Sequence, residues 1–397
     1  RLGELSNRQR KRLVRSMLFF KEKHTLGVFE RLKARLVANG AQQDRALYPD
    51  SSSPTATLVG IFLVLAIAAK ERRRVTVLDI GTAYLNADLG DEEVFIETDA
   101  FLTRWILKYK PELKPFLDAK TGKMVFRLTK ALYGCIQSAR RWYEKITTYL
   151  KSIGFTENER DNCVLNSVHE GKQITVALYV DDLLITCKDE AGIDRLTDQL
   201  RSEYGQVKVQ SGEKLSYLGM CLETSAKGIT VSMTDYIKDI LEEYAPARAS
   251  GRKRYSCPAG ESFFGVCESA ALGPERAKAF HSAVAKLLYV SLRVLPHVGT
   301  AVSFLTTRVT APTEEDERKL KRVLAYLQTI EDQGILLPRK GEIRVRAWVD
   351  AAFALHHANG ASHTGAVIAL DNAMVCARST KQKMMAKVLT TKAGTIR

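Results

Sequence analysis

Two adjacent aspartates separate two β-rich runs in residues 173–187 (QITVALYVDDLLITC), and this stretch constrains the fold more than any other. Apolar residues alternate with Thr, Ala and Tyr in the first run, and the second run follows the aspartates without a spacer. The pattern predicts a tight β-hairpin with Asp181 and Asp182 at its tip. A two-residue turn normally requires Gly or Asn because φ must be positive there, yet Val and Asp are the residues available. We therefore expect a strained turn, and such strain collects at functional sites.

The aspartate pair alone does not indicate a functional site, because Asp is a good turn residue on a solvated hairpin. A third carboxylate nearby would favour a functional interpretation. Asp79 follows the β-branched run of residues 74–78, and buried strands do not end in Asp by propensity. Capping of the next helix is one explanation for Asp79, and metal binding is the other. If the two strands are neighbours in one sheet, Asp79 converges with Asp181 and Asp182.

Three clustered carboxylates repel one another and lower stability unless a cation neutralises them. Mg²⁺ prefers a few carboxylates together with substrate phosphates. Two such ions, about 4 Å apart, stabilise the attacking and the leaving oxygen of an in-line phosphoryl transfer. The aspartates therefore predict nucleotidyl transfer, in which a primer 3′-hydroxyl attacks an α-phosphate and pyrophosphate leaves.

The charge of the chain supports a polyanionic partner. Sixty Lys and Arg against 45 Asp and Glu give a formal net charge of +15, which favours nucleic acid, with an anionic membrane as the weaker alternative. Residues 1–40 contain 11 Lys and Arg and only 3 Glu. On a strand, Lys33 and Arg35 would point the same way and could clamp a phosphate. The alternative is a solvated basic edge that discourages aggregation.

Length and patterning exclude several classes of protein. The 397 residues suffice for two or more domains. The longest apolar run, residues 58–69, falls short of the ~20 residues that span a bilayer, so we expect a buried helix and no membrane partner. Between residues 91 and 122 the pattern weakens, and we expect a surface excursion.

The seven cysteines lack metal-site spacing, which predicts free thiols in a reducing, intracellular compartment. The start of the chain does not resemble a signal peptide, so we expect no secretion. Because the first residue is not Met, we expect a fragment of a longer protein.

Six segments carry a family resemblance when they are taken together and in order. They are residues 29–40 (FERLKARLVANG), 52–55 (SSPT), 78–89 (LDIGTAYLNADL), 128–143 (LTKALYGCIQSARRWY), 178–186 (LYVDDLLIT) and 217–220 (YLGM). From about Phe19 onwards the chain resembles the reverse transcriptase of copia-type retrotransposons. The resemblance implies an RNA-directed DNA polymerase with an α+β right-hand fold of fingers, palm and thumb, in which helices accompany an antiparallel palm sheet.

The resemblance also implies roles for charged residues. Asp79, Asp181 and Asp182 match the metal-binding catalytic triad, which holds two Mg²⁺ ions with Mn²⁺ as a possible substitute. Lys33 and Arg35 match basic fingers residues that meet the incoming triphosphate.

Uncharged positions receive roles in the same way. Tyr84 resembles the aromatic that excludes a ribose 2′-hydroxyl, and Gln137 looks like the residue that touches the nucleotide sugar and the template. Arg140 and Arg141 could also face a nucleotide, although surface arginines are usually only solvated. Residues 217–220 resemble the family's hairpin that holds the primer end. They are Tyr217, Leu218, Gly219 and Met220.

The resemblance divides the chain into fingers and palm (1–250), a helical thumb and connection (251–340) and an incomplete RNase H-like segment (341–397). In that segment Asp350 matches the first metal ligand of the family's RNase H domain. The family next expects Thr-Glu-Ala-Glu, whereas residues 391–394 read Thr-Lys-Ala-Gly, and no acid follows Asp371. We expect no RNase H activity, because Lys reverses the charge at a metal site and because we expect the RNase H-like domain to be incomplete.

Two hypotheses remain open. The first is an active polymerase that uses an RNA template, a DNA primer and deoxynucleotides, held through phosphates and sugars rather than base edges. The second is a decayed element that folds and binds nucleic acid without catalysis. The three aspartates, Tyr84 and Gln137 favour the first, and the altered tail favours the second. A two-carboxylate phosphotransfer receiver does not fit the length or the basic charge. The resemblance implies integrase and capsid segments elsewhere in a parent polyprotein and a location in a cytoplasmic virus-like particle or the nucleus, and the oligomeric state is open.

Overall fold

A computed structural model describes residues 4–25, 28–245, 255–330, 333–356, 360–383 and 394–396. The basic residues 252–254, the expected boundary near residue 250 and residues 391–393 of the altered tail lie outside this described part. The chain contains both helices and mostly antiparallel strands, which agrees with the expected mixture of α and β structure.

The helices span Asn7–Arg10 (α1), Leu58–Glu71 (α2), Ala100–Tyr109 (α3), Ser138–Ser152 (α4), Glu190–Tyr204 (α5), Thr234–Tyr244 (α6), Pro274–Ser291 (α7), Gly299–Thr306 (α8) and Glu314–Leu327 (α9). The strands span Leu13–Thr25 (β1), Val28–Ala38 (β2), Arg74–Ile80 (β3), Val94–Glu97 (β4), Val125–Leu128 (β5), Thr156–Glu157 (β6), Val164–His169 (β7), Lys172–Tyr179 (β8), Asp182–Cys187 (β9), Val207–Gln210 (β10), Lys214–Tyr217 (β11), Met220–Thr224 (β12), Gly228–Ser232 (β13), Ile335–Pro338 (β14), Val345–His356 (β15), Ala361–Leu370 (β16), Ala373–Lys381 (β17) and Gly394–Ile396 (β18).

A six-stranded sheet with the order β10-β3-β9-β8-β7-β6 forms the centre of the molecule. Its neighbouring strands are antiparallel, and β3 lies directly beside β9. The sequence expectation that these two strands are neighbours is confirmed. As a result, the end of β3 and the tip of the β8–β9 hairpin meet at one edge of the sheet.

Helix α2 packs against this sheet as the buried helix that the apolar run predicts. Thr57 caps it by accepting a hydrogen bond from the Gly60 amide, and the chain leaves it at Arg72 in the left-handed region. No helix in the described part of the chain is long and apolar enough to cross a membrane.

A second sheet has the order β2-β1-β4-β5 and carries the long antiparallel ribbon of β1 and β2. Strand β4 is buried and runs parallel to β1, and α3 follows it. The expectation of a surface excursion between residues 91 and 122 is therefore wrong for the buried strand β4, whereas nearly all of residues 99–122 are exposed or half-buried. A four-residue strand and a helix with exposed aromatic residues give little hydrophobic periodicity, which explains the error.

Two further sheets complete the fold. One has the order β11-β12-β13-β14, so the strand after α9 returns to pair with β13. The other has the order β17-β16-β15-β18, and its strand β17 packs against α2 and α8. The helices expected between residues 274 and 330 are present as α7, α8 and α9.

Candidate active site

The tip of the β8–β9 hairpin is a strained two-residue turn. Tyr179 pairs with Asp182, which leaves Val180 and Asp181 as the turn residues. Val180 has φ +58°, a conformation that is a genuine outlier for a β-branched residue and costs about 1–3 kcal/mol. The buried Trp142 of α4 donates a hydrogen bond from Nε1 to the Val180 carbonyl at 2.6 Å. The strain expected from the sequence is confirmed, and α4 holds the strained turn in place.

The three aspartates come together at this turn. Asp79 is the cross-strand partner of Asp182, and the Ile80 amide donates to the Asp181 carbonyl at 3.0 Å. Burial, followed by the negative charges of Asp181 and Asp79, raises the pKa of Asp182 to about 6. Burial is also the main reason that the pKa of Asp181 is raised, with the charge of Asp79 adding to it. The site is therefore an electrostatically unfavourable group of half-buried carboxylates.

Two cations of the ribbon face these carboxylates. Lys33 and Arg35 are exposed on β2, and their positive charges oppose the rise in the pKa of Asp181. In the ribbon, Lys33 lies opposite Lys21 and Arg35 lies opposite Phe19. The structure thus brings both predicted cations into electrostatic range of the strained turn.

Tyr84 lies beside the carboxylates and packs on a second tyrosine that the sequence analysis did not single out. The rings of Tyr84 and Tyr133 are 4.4 Å apart between centroids. Burial and then the Asp181 charge raise the pKa of Tyr84. Burial and then the Asp181 charge also raise the pKa of Tyr133, to about 12. Tyr133 belongs to segment 128–143, so its place in the family pattern was the available signal.

A close backbone contact joins the ribbon to the Tyr133 loop. The Ala38 amide donates to the Tyr133 carbonyl at 2.8 Å. Gly134 has φ +93°, and a Cβ atom there would lie 2.0 Å from the Ala38 carbonyl oxygen. A Cβ on Gly40 would likewise lie 2.0 Å from the Gly134 oxygen. Only glycine permits this approach, which fixes β2 relative to the loop before α4.

Gln137 precedes α4 as its N-terminal flanking residue and is buried. Its Oε1 accepts from Gln43 Nε2 at 3.1 Å, and Gln43 Oε1 accepts from the Ile136 amide at 2.7 Å. Within the described structure, Gln137 Nε2 has no hydrogen-bond partner. A buried donor without a partner is costly, so Nε2 is an unsatisfied hydrogen-bond donor in this structure.

The two arginines that follow are engaged with carboxylates. Arg140 Nε donates to Glu144 at 2.6 Å, and Arg141 Nε donates to Glu92 at 3.1 Å. These pairs agree with the solvated surface alternative for Arg140 and Arg141.

A second tight hairpin adjoins Asp182. Tyr217 pairs with Met220, and the turn residues Leu218 and Gly219 have φ values of +50° and +77°. Burial and then the Asp182 charge raise the pKa of the Tyr217 hydroxyl. Tyr289 of α7 donates its hydroxyl to the Leu218 carbonyl at 3.0 Å. Helix α7 therefore supports this turn as α4 supports the first one.

The model of one protein family matches residues 5–253, and that family is described as reverse transcriptase (RNA-dependent DNA polymerase). The chain belongs to this family. The retrovirus-related Pol polyprotein from transposon RE2 of Arabidopsis thaliana is 29% identical to it over 92% of this chain and 24% of the polyprotein. The corresponding polyprotein from transposon TNT 1-94 of Nicotiana tabacum is 28% identical over 90% of this chain and 26% of the polyprotein.

Over a shorter stretch, the chain is 32% identical to the transposon Ty1-MR1 Gag-Pol polyprotein of Saccharomyces cerevisiae, and that stretch covers 51% of this chain and 10% of the polyprotein. The expected membership of the copia-type retrotransposon reverse transcriptases is confirmed. The chain spans about a quarter of the length of the plant polyproteins that it matches.

Asp350 lies on a different sheet from the three aspartates. It is exposed on β15, opposite Gly365 of β16, and accepts a hydrogen bond from the Ala351 amide. Residues 391–393, where the family pattern changes, lie outside the described structure.

The three aspartates could provide part of the coordination shell of a magnesium ion, with substrate phosphates and water providing the rest. Among the residues that the structure describes, no group of three or more His, Cys, Asp or Glu side chains is arranged to hold a metal by itself. Mg²⁺ does not need such a group, because it usually combines one or two carboxylates with water and substrate phosphates. Asp79, Asp181 and Asp182 could supply such carboxylates, and a bound cation would neutralise the negative charge that adds to burial in raising the pKa values of Asp181 and Asp182.

The stability of the metal-free protein is expected to fall as pH rises through the range from about 4 to about 6. The pKa of Asp182 is about 6 in the folded chain against 3.8 in its ordinary state, so the folded state binds the proton more tightly in that range. Asp182→Asn removes this effect and should raise the free energy of unfolding near neutral pH by roughly 1 kcal/mol, after allowance for solvent screening.

Mg²⁺ should raise the melting temperature more at about pH 8 than at about pH 5, because protons compete with it. Thermal melts with EDTA or Mg²⁺ measure both effects, and equal Mg²⁺ shifts at the two pH values would contradict the argument.

Proposed function

We propose that this chain extends a DNA primer on an RNA or DNA template by nucleotidyl transfer from deoxynucleoside triphosphates. The observation that carries the proposal is the meeting of Asp79, Asp181 and Asp182 on adjacent strands of the central sheet, opposite the cations of the ribbon. Such an arrangement combines ligands for a divalent cation with positive charge for a triphosphate.

Each predicted site residue receives one task in this proposal. Asp79, Asp181 and Asp182 hold the cation, and Lys33 and Arg35 bind the triphosphate as it enters. Bound Mg²⁺, in two sites with Mn²⁺ as a possible substitute, supplies charge stabilisation for the attacking and leaving oxygens. The primer 3′ end rests on the second tight hairpin, formed by Tyr217, Leu218, Gly219 and Met220.

Two uncharged side chains orient the incoming nucleotide. The unpartnered Nε2 of Gln137 donates to the nucleotide sugar or to the template, which relieves the cost of a buried donor. Tyr84 lies against the sugar, with its ring fixed by Tyr133 at 4.4 Å. A ring held in that position leaves no room for a 2′-hydroxyl.

Tyr84→Ala is therefore expected to raise ribonucleotide incorporation relative to deoxynucleotide incorporation by up to about a hundredfold, the usual scale for steric rejection of one added hydroxyl. Single-nucleotide extension with dCTP and CTP measures the two kcat/KM values. Tyr84→Phe is the matched control, because it keeps the ring and should keep the discrimination. Unchanged discrimination in Tyr84→Ala would remove this role from Tyr84.

The wider architecture is interpreted in the same way. The central sheet corresponds to the palm, the sheet with the ribbon to the fingers, and α7, α8 and α9 to the thumb and connection, with boundaries near residues 250 and 340. Strands β15 to β18 correspond to an RNase H-like segment in which Asp350 is the first ligand. Lys392 stands where the family has an acid, so this chain should not cleave RNA in a hybrid.

The relatives suggest a parent polyprotein for this chain, and its free cysteines suggest a cellular compartment. The relatives are Pol polyproteins, so integrase and capsid segments are expected in a parent polyprotein. All seven cysteines are free, which is consistent with a reducing intracellular compartment.

The test is extension of a DNA primer on an RNA template with Mg²⁺ and all four deoxynucleotides, run beside a reaction with EDTA. Extension that requires Mg²⁺ and copies the template supports the proposal. If well-folded protein binds the primer-template with a steep salt dependence but does not extend it, the chain is a decayed element that only binds nucleic acid.

A further inference from the structure

Helix α3 displays a row of aromatic side chains to solvent. Phe101, Trp105 and Tyr109 follow one another every four residues and are 48%, 42% and 70% exposed. Thr103 lies on the other side of the helix and is buried. The apolar stripe of a surface helix normally faces the core, so an outward row of three aromatics indicates a contact surface.

The geometry of the row suits stacking with planar groups. Ring centroids are 6.3 Å apart between Phe101 and Trp105 and 5.9 Å apart between Trp105 and Tyr109, and the second pair is nearly parallel at 13°. This spacing exceeds the rise of about 3.4 Å between stacked bases of a duplex strand. The row therefore fits a single strand whose bases are splayed apart, with each base on its own ring.

The charge of α3 selects the same kind of partner. The helix contains no acidic residue, and its two cations, Arg104 and Lys108, are exposed. Lys108 Nζ lies 4.9 Å from the centre of the Trp105 ring and 5.7 Å from that of Tyr109. Aromatic rings combined with cations are the pattern of surfaces that bind single strands. An apolar protein partner would bury these cations without counter-ions.

Helix α3 belongs to the same sheet region as the ribbon that carries the proposed triphosphate-binding cations. The helix follows β4, which pairs with β1, and β1 pairs with the strand that carries Lys33 and Arg35. A strand that leaves the proposed site across the ribbon would thus find α3 attached to the same sheet.

We propose that Phe101, Trp105 and Tyr109 bind the single-stranded template ahead of the site, by stacking and without base preference. This inference rests on the proposed polymerase function for the identity of the strand. Lys108 moves from the rings to the phosphates when the bases stack.

The first experiment uses the fluorescence of Trp105. Of the three tryptophans, Trp142 is buried and Trp348 is exposed, so the Trp348→Phe variant leaves Trp105 as the accessible one. Single-stranded oligouridylate and oligodeoxythymidylate, added in EDTA, should each quench its emission. An unquenched Trp105 at oligonucleotide concentrations that saturate the protein would overturn the proposal.

The second experiment replaces all three aromatics by Leu, which keeps apolar area and helix propensity but removes the ring faces. The affinity of the parent for a primer-template with a long template overhang should exceed its affinity for one with a one-nucleotide overhang by about tenfold or more. The variant should lose this difference. Trp348→Leu on β15 is the matched control and should retain it.

Retention of the difference by the triple Leu variant would show that ring stacking does not hold the strand. If that variant does not fold, the Trp105 quenching decides the question alone. The two proposals can be rejected separately. Quenching without any primer extension would contradict the proposed polymerase function, whereas extension without quenching would contradict template binding by α3.

Discussion

Asp181→Asn is expected to lower primer extension by about a thousandfold or more while the melting temperature in EDTA stays the same or rises. Asn has nearly the shape of Asp, so the strained turn and its hydrogen bond from Trp142 should persist. The change removes a negative charge that lies within range of Asp79, Lys33 and Arg35. Loss of one charged group from such a site removes stabilisation that exists mainly in the transition state.

Steady-state extension of a labelled primer measures the loss, and filter binding of the primer-template separates it from a loss of affinity. Asp198→Asn is the matched control, because Asp198 is an exposed aspartate on α5 whose ion pair with Arg201 is a surface pair of little energetic value. Should Asp181→Asn extend the primer at the parent rate, the metal site would have to lie elsewhere.

Gly134→Ala is expected to destabilise the protein by about 4 kcal/mol or more and to abolish extension. Two costs add at this position. Ala is disfavoured at φ +93°, and its Cβ would lie 2.0 Å from the Ala38 carbonyl oxygen, which is backbone and cannot rotate away. Relief of the clash requires β2 to move, and the cations on β2 then leave the carboxylates.

Gly122→Ala separates the two costs. Gly122 also has a positive φ, +67°, but a Cβ there meets no atom within 4 Å. This control should lose only about 1 kcal/mol and keep its activity. Melting temperatures and urea midpoints of the two variants make the comparison, and equal destabilisation would mean that backbone strain rather than the contact with Ala38 dominates.

The sequence predicted the centre of the molecule well because the relevant signals are local. Alternation in β8 and the absence of a spacer before β9 specify a hairpin, and a two-residue turn with Val180 must be strained. The convergence of Asp79 with Asp182 could be predicted because both belong to strands of one buried sheet.

The parts that escaped prediction depend on tertiary contacts or on exposure. The role of Gly134 arises from a contact with Ala38, nearly a hundred positions earlier in the chain. The Tyr289 hydroxyl reaches Leu218 across 71 positions. Helix α3 was missed because three of its large apolar residues face solvent, which hides the usual distinction between an inner and an outer face.

The return of β14 to the third sheet has a consequence for dissecting this protein by truncation. The family match ends at residue 253, yet β13 completes its hydrogen bonds with residues 335–338. A fragment cut at residue 253 would expose β13 as an open edge that can recruit other chains, and it would lose the Tyr289 support of the Leu218 turn. The segment that the family model matches is thus shorter than the segment whose strands complete this sheet, and soluble expression should require the chain to continue past residue 338.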